Sequence, residues 1–332
     1  MLDFVALKTK LDVSAFVFDT QLNIVVFPVL VNPTIPQLSA IILNYCLKIN
    51  DWQKYENCAI FAPHIKKESH MEITIIKIGG NIIDDPQALP HFLDLFTHYP
   101  GNKILVHGGG GMATQMAKQL GVPTQMHHGR RITSPEMLKI AAMVYAGWFN
   151  KLIVAGLQQR GCQAIGLSGA DANLIPAKKR PVTDIDYGEV GDIFPDEINT
   201  GIISMLMFKD LVPVVCSITH DQKGHLLNTN ADTIASTLAV ALAPFYHTRL
   251  VYCFEQKGVL SDPQQPDSVI PLITRKSYLK LKEDGVVSGG MIPKLDNAYR
   301  ALEQGVKEVY IKHAFHLADK VESLLIMGME HE

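Results

Sequence analysis

The sequence predicts an α/β protein in which a mostly parallel sheet lies between helical layers. Three observations carry this reading. After Met71, short apolar runs bounded by Gly, Pro or Asn recur at residues 73–78, 103–106, 164–167, 212–218 and 249–254. Their hydrophobicity is continuous rather than alternating, the pattern of strands covered on both faces. Between them lie segments with apolar residues at helical spacing, and strands alternating with helices build a parallel sheet flanked by helices.

The elements follow in order. Met112, Met116 and Leu120 share one helical face, and Gly121 with Pro123 ends that helix. Thr133-Ser134-Pro135-Glu136 offers a capping box with proline in the first turn, opening a long helix towards Gln159. Ile234, Leu238 and Leu242 form a third stripe. Pro293 marks the start of a helix whose core face is Leu295, Ala298 and Leu302, and Gly305 ends it. Residues 261–268, with two prolines and two aspartates, read as an exposed loop.

The first seventy residues differ from this pattern. All 24 glycines follow Met71, and no arginine precedes it; at ordinary usage about five glycines would fall there. Residues 1–70 are therefore expected to be an extension outside the functional core, translated from upstream of a native start at Met71. The alternative is an appendage that packs on the core or mediates assembly.

Of the 332 residues, 47% are hydrophobic and 19% charged, which excludes a disordered chain. That length favours two domains. A formal charge of −3 gives no general attraction to nucleic acid or an anionic membrane. The five scattered cysteines include no C-x-x-C pair and suggest a reducing compartment. No stretch reads as a membrane span and no signal peptide is visible, so a cytoplasmic protein is expected.

Four places carry chemistry. In Lys77-Ile78-Gly79-Gly80-Asn81 a lysine ends a doubly covered strand, where it needs a partner or an anionic ligand, and two glycines then bring backbone N–H groups close. An edge-strand lysine reaching solvent is the plain alternative. His107-Gly108-Gly109-Gly110-Gly111 joins a strand to a helix whose free N–H groups attract anions. It matches neither G-x-G-x-x-G nor the Walker loop, and His107 reads as a packing or hydrogen-bonding residue. Asn228-Thr229-Asn230-Ala231-Asp232 opens a helix; Asp232 there complements the dipole or serves a ligand, and the asparagines orient a small polar molecule. Ser288-Gly289-Gly290-Met291-Ile292-Pro293-Lys294 places a cation in a first turn, against the macrodipole, which points to a compensating anion or to a merely solvated lysine. Taken together, two lysines, two glycine cradles and a carboxylate point to phosphoryl transfer without a Walker loop.

The ordered motifs K-I-G-G-N, H-G-G-G, G-R-R-I-T, N-T-N-A-D and G-G-M-I-P-K resemble the amino-acid kinase family over residues 71–332. Asn81 with G-R-R-I-T resembles the branch that phosphorylates the side-chain carboxylate of N-acetyl-L-glutamate in arginine biosynthesis. The resemblance implies an open three-layer αβα sandwich with two lobes, residues 71–245 binding the acyl amino acid and mediating dimerisation, and 246–332 binding ATP with Mg2+. It implies Lys77 and Lys294 as transition-state lysines, positioned by Asp232, with Gly79, Gly80 and Gly110 cradling phosphate. Gly109, Gly110, Arg131, Asn228 and Asn230 are then substrate-binding, and Glu255, Lys257, Gly258, Val259, Leu260, Ser288, Gly289 and Gly290 hold the nucleotide. Mg2+ is expected on the ATP phosphates, with no metal site of the protein's own. Glu255 and Gly289 depart from the aspartates of many relatives, and the C-terminus lacks the family's Gly-Thr ending. An N-succinyl-L-glutamate substrate, or a catalytically silent amino-acid-binding regulator, are the alternatives. The resemblance also implies that arginine-inhibited hexamers need an extra N-terminal helix before the first strand; residues 50–70 contain Pro63 and no sustained helical stripe, so a homodimer that arginine inhibits weakly or not at all is expected.

A chain beginning at Met71 is expected to be soluble, dimeric and as active as the full chain, because every motif lies downstream. Turnover and light scattering on the shortened protein check this; insolubility or lost activity would place residues 1–70 within the working unit.

Overall fold

The computed structural model describes residues 71–127, 130–262, 264–288, 291–317 and 322–328, together with three strands among the first seventy residues. The chain divides into two compact units, Met1–Lys66 and Lys67–Glu332. In the first, strands Leu7–Lys8, Val13–Thr20 and Asn23–Leu30 pair antiparallel. Residues 50–70, where no helix is predicted, lie outside the described residues.

The second unit is built on an eight-stranded sheet. Its strands in chain order are β1 (Glu72–Ile78), β2 (Asn102–His107), β5 (Ala164–Leu167), β6 (Val212–Cys216), β9 (His247–Phe254), β10 (Leu272–Thr274), β11 (Glu308–His313) and β12 (Ser323–Ile326), and they lie side by side in the order β10-β12-β11-β9-β1-β2-β6-β5. Three smaller antiparallel pairs lie outside this sheet: β3 (Gln125–His127) with β4 (Arg130–Ile132), β7 (Ile218–His220) with β8 (Leu226–Asn228), and the two-residue segments Lys178–Lys179 and Gly191–Asp192. From β11 to β5 all neighbours are parallel; β12 pairs antiparallel with β11, and β10 follows β12. The predicted 212–218 run is broken at Ser217, where the chain leaves β6 for β7.

Each face of the sheet carries its own core. Alternation in β1 sends Ile73 and Ile75 one way, into a core shared by α5 (Thr200–Phe208), α6 (Ala231–Leu242), α7 (Arg275–Glu283) and α8 (Met291–Glu303), and Ile76 and Ile78 the other way. The second face receives α2 (Ala88–His98), α3 (Gly110–Gln119) and α4, a continuous helix over Pro135–Gln159. The result is the expected αβα sandwich.

The stripes Ile234/Leu238/Leu242 and Leu295/Ala298/Leu302 are buried as predicted. Helix α8 starts two residues before Pro293; proline fits this first turn because the N–H it lacks would have no intrahelical partner. In α3 the inward face is Ala113 and Ala117, with the methionines alongside, while Leu120 is 60% exposed. Leu120 is the C-cap rather than a helical residue, and alanines let the helix axis lie close to its neighbours. Gly121, at φ +69°, then closes the helix: Gly121 N donates to Lys118 O and Val122 N to Ala117 O.

The capping box predicted at residues 133–136 does not form. Ser134 is the N-cap, its hydroxyl accepting from Met137 N at 3.1 Å, and Met137 at the third position has no polar group to return the bond. By length and composition α4 could cross a membrane, which corrects the expectation from sequence. Its Met137, Ile140, Val144, Tyr145, Phe149, Ile153 and Leu157 are instead buried in the core beneath the sheet. Residues 143–149 of this helix form a π-helical stretch, a wider turn that recurs at functional sites.

Candidate active site

The C-terminal ends of β1, β2 and β9 converge on one edge of the sheet. The chain leaves β1 towards β2 on one side and returns to β9 on the other, so a crevice opens outside these strand ends. Lys77 is the penultimate residue of β1. Period-two alternation puts its side chain on the same face as Ile73 and Ile75, towards α6. Its ammonium meets Asp232 Oδ1 at 2.7 Å, with the side chains 13% and 19% exposed.

Asp232 is held there by its helix. Asn230 is the N-cap of α6, its Oδ1 accepting from Asp232 N at 2.7 Å and from Thr233 N at 3.2 Å. Tyr252, the register neighbour of Lys77 in β9, donates to the Asp232 carbonyl at 3.4 Å. Lys294 approaches from the first turn of α8, its ammonium 4.2 Å from the centre of the Phe254 ring. Burial lowers its pKa; Asp232 opposes that, Lys77 adds to it, and Glu255 opposes it. The two predicted lysines and the predicted carboxylate thus share one electrostatic neighbourhood.

Two glycine turns border this centre. Gly79 caps the short helix α1 (Gly80–Asp84) with no side-chain bond to its free N–H groups. Gly109 caps α3 in the same bare manner, at φ +154°. A Cβ on Gly109 would lie 2.7 Å from Phe149 and 2.9 Å from Tyr145, so backbone alone fits over those two rings. The π-helical stretch of α4 is what brings them there.

Beside Gly108, Gly109 and Gly110 lies a cavity of about 180 Å³, also lined by Arg131, Asn228 and Asn230. It is smaller than the roughly 300–1,000 Å³ of drug-sized pockets, and suits a small polar molecule. Arg131 leaves β4 and its Nη2 donates to Gly110 O at 2.9 Å and Thr114 Oγ1 at 2.7 Å. Asn228 ends β8, and its Nδ2 donates to Thr133 Oγ1 at 3.0 Å, which orients the amide.

The same cavity holds residues that sequence reasoning missed: Tyr145, Arg180 and Ser217, with Arg130 seen only as part of G-R-R-I-T. Arg180 forks onto Asp192 Oδ1 at 3.0 and 2.5 Å and stacks 5.0 Å from the centre of the Tyr187 ring. Burial raises the Tyr145 pKa and Arg131 opposes the rise. Tyr145, Arg180 and Ser217 belong to no motif; only the fold gathers them.

The predicted nucleotide residues are dispersed around the far side of β9. Glu255 follows the strand, exposed but close enough to bear on Lys294. Lys257 pairs with Asp267 at 2.5 Å. Gly258 sits where a Cβ would come 2.6 Å from Ser323 Oγ, which in turn accepts from Val259 N at 2.8 Å. Val259 and Leu260 have buried side chains, and the Val259 carbonyl accepts from Ile270 N at 2.8 Å, so both backbone groups of Val259 are engaged within the protein. Ser288 is exposed, and Gly289 and Gly290 lie outside the described residues.

Residues 72–313 match the sequence model of the amino acid kinase family. The acetylglutamate kinase of Phocaeicola vulgatus is 51% identical over 240 residues, covering 72% of this chain and 93% of the relative. The acetylglutamate kinase of Bacteroides thetaiotaomicron is 50% identical over 248 residues, covering 75% and 96%. Among solved structures, a Streptococcus mutans protein superposes with a TM-score of 0.64 at 26% identity, covering 77% of this chain and 99% of its own. With the lysine–aspartate centre, the glycine turns and this agreement along its length, the chain belongs to the amino acid kinase family.

Proposed function

We propose that the chain transfers the γ-phosphoryl group of ATP to the side-chain carboxylate of N-acetyl-L-glutamate, giving N-acetyl-L-glutamyl 5-phosphate for arginine biosynthesis. The Lys77–Asp232 pair with Lys294 beside it, bordered by a small cavity with an arginine and two asparagines, is the observation that carries this reading. The likeness to the two acetylglutamate kinases supports it.

The chemistry requires this inventory. A side-chain carboxylate with a pKa near about 4.3 is already ionised at neutral pH, so the reaction needs no general base. The barrier lies in bringing that anion up to a polyanionic triphosphate. Lys77 and Lys294 supply positive potential there, each close pair contributing roughly 4 kcal/mol at an effective dielectric of about 20 before desolvation. N–H groups of Gly79, Gly80 and Gly110 add fixed donors without reorganisation. Asp232 holds Lys77 in place rather than reacting. Arg131 and Asn228 are assigned to the amino-acid end of the substrate, with Gly109 and Asn230 completing its walls.

Residues 71–245 form the acyl-amino-acid lobe in this reading and residues 246–332 the nucleotide lobe, the latter using Glu255, the 257–260 segment and the 288–290 turn. Magnesium enters with ATP, on phosphate oxygens and water. Among the described residues no group of three His, Cys, Asp or Glu side chains is placed to hold an ion alone. A cytoplasmic setting fits Cys162, Cys216 and Cys253 as free thiols. A homodimer fits the outward face of α4, where Met143, Trp148 and Leu152 are 53%, 56% and 40% exposed.

A second substrate reading has its own observation. Arg130 lines the cavity in addition to Arg131, while Arg180 there is already paired with Asp192, and an N-succinyl group would bring a further carboxylate for Arg130.

An ATP-dependent hydroxamate assay with N-acetyl- and N-succinyl-L-glutamate side by side tests both; product from the acetyl substrate is expected, and product from neither would reject the kinase reading. Lys77→Ala and Lys294→Ala should each lower kcat by roughly 100-fold or more with the fold retained, since each acts on transition-state charge. Arg131→Lys should chiefly raise KM for the acyl amino acid, because lysine lacks the planar fork; a change confined to KM for ATP would put the substrate in the other lobe. Light scattering should give a dimer that Trp148→Glu weakens, with arginine inhibiting weakly; a hexamer sensitive to arginine would contradict this.

A further inference from the structure

His107 is fully buried at the end of β2, on the sheet face that carries α4. Its Nδ1 lies 2.8 Å from the carbonyl oxygen of Gly108, the first residue of the glycine turn. A carbonyl only accepts, so Nδ1 carries the proton. The other nitrogen, Nε2, lies 3.2 Å from Asn150 Nδ2 and therefore accepts. The Asn150 amide is not free to turn over. Its second Nδ2 hydrogen goes to Val214 O at 2.9 Å, and its Oδ1 accepts from Lys151 Nζ at 3.0 Å. Lys151 also reaches Gly166 O at 3.2 Å. A Cβ on Gly166 would come 1.9 Å from Asn150 Oδ1, so the sheet leaves space for this amide only through a glycine. The amide protons of Asn150 and the ring proton of His107 are each assigned by their neighbours.

We propose that His107 is a positioning residue whose Nδ1-protonated ring sets the direction of the Gly108–Gly109 peptide and so turns the Gly109 N–H towards the substrate cavity. A trans peptide carries C=O and N–H on opposite sides. Tying Gly108 O to the buried ring leaves the Gly109 N–H on the other side, and Gly108 to Gly110 line the cavity. The opposite tautomer would set Nε2–H against the Asn150 donors and a bare Nδ1 against Gly108 O, and either conflict favours a flipped peptide. Burial pushes the His107 pKa down to about 4, so the ring stays neutral and keeps one donor and one acceptor at physiological pH. From sequence His107 reads as a packing or hydrogen-bonding residue; the network gives that hydrogen bonding a direction.

This inference rests on the kinase reading above, and the test separates the two. Nitrogen-15 NMR of the wild-type full chain reads the His107 tautomer without any assay of activity. Nδ1–H with a bare Nε2 is expected, and an Nε2–H ring overturns the proposal even where a variant does not fold. In His107→Asn the amide nitrogen stands near the place of Nδ1 and can still donate to Gly108 O; His107→Gln reaches the place of Nε2 instead. His107→Asn is expected to keep most of the wild-type kcat. His107→Gln should lose roughly 100-fold, the scale of one misaimed backbone donor, with KM for ATP and melting temperature matching those of His107→Asn. Equal kcat in the two variants, or losses that follow melting temperature alone, would leave His107 a packing residue and reject the proposal. A wild-type chain with no kinase activity on either acyl-glutamate would reject the functional reading while the tautomer still decides the geometry.

Discussion

The ion pair between Lys77 and Asp232 is the constraint around which the rest of the site is arranged. A lysine on a strand covered on both faces has to be paired, since an uncompensated buried charge costs several kcal/mol. Pairing at 2.7 Å fixes the first turn of α6 over the end of β1, and that in turn requires the Asn230 cap and the buried 234/238/242 stripe that seats the helix. Both side chains retain some exposure, which tempers the desolvation cost and leaves the ammonium accessible to a ligand. Lys294 is the complementary case. It sits half-buried near an aromatic ring with its charge disfavoured by burial, a state that an incoming polyphosphate would relieve.

The backbone supplies the remaining positive potential, and only because side chains are excluded where it is needed. Gly109 lies over Tyr145 and Phe149 with no room for a Cβ. Those rings are delivered by the π-helical part of α4, whose next residue, Asn150, reaches His107 on the neighbouring strand. One irregular turn in a long helix therefore serves both sides of the glycine turn: apolar rings from below, and a hydrogen-bonded network behind it. A regular helix would shift the register of every residue after Met143 and separate these contacts.

Helix α4 also shows why composition alone misleads. Its twenty-five residues are apolar enough for a membrane, yet one face closes the second core and includes Asn150, whose polar groups are fully engaged by protein. The outward face keeps Glu136, Lys139 and Lys151 among its apolar residues. Such a mixture belongs to a helix packed on a sheet, and not to one facing lipid.

The amino-acid sequence by itself determined the α/β class, the central strands and the residues with unusual chemistry. Runs such as 73–78 and 249–254 are legible because a strand buried on both faces is apolar at every position, and Lys77 stands out against that background. The stripes of α6 and α8 are legible because helical periodicity is local. The tertiary structure decided what local pattern does not encode. It exposed Leu120 and buried Ala113 and Ala117, because the distance between helix and sheet selects small residues there. It added β11 beside β9, β12 beside β11 and β10 beside β12, short or charged segments that become strands only at a sheet edge already in place. It brought Arg180 and Tyr145, far from each other and from any motif in sequence, to the cavity of Arg131. Pairings across tens of residues depend on which surfaces the packed sheet presents to one another, and a periodic pattern within one segment carries no information about that.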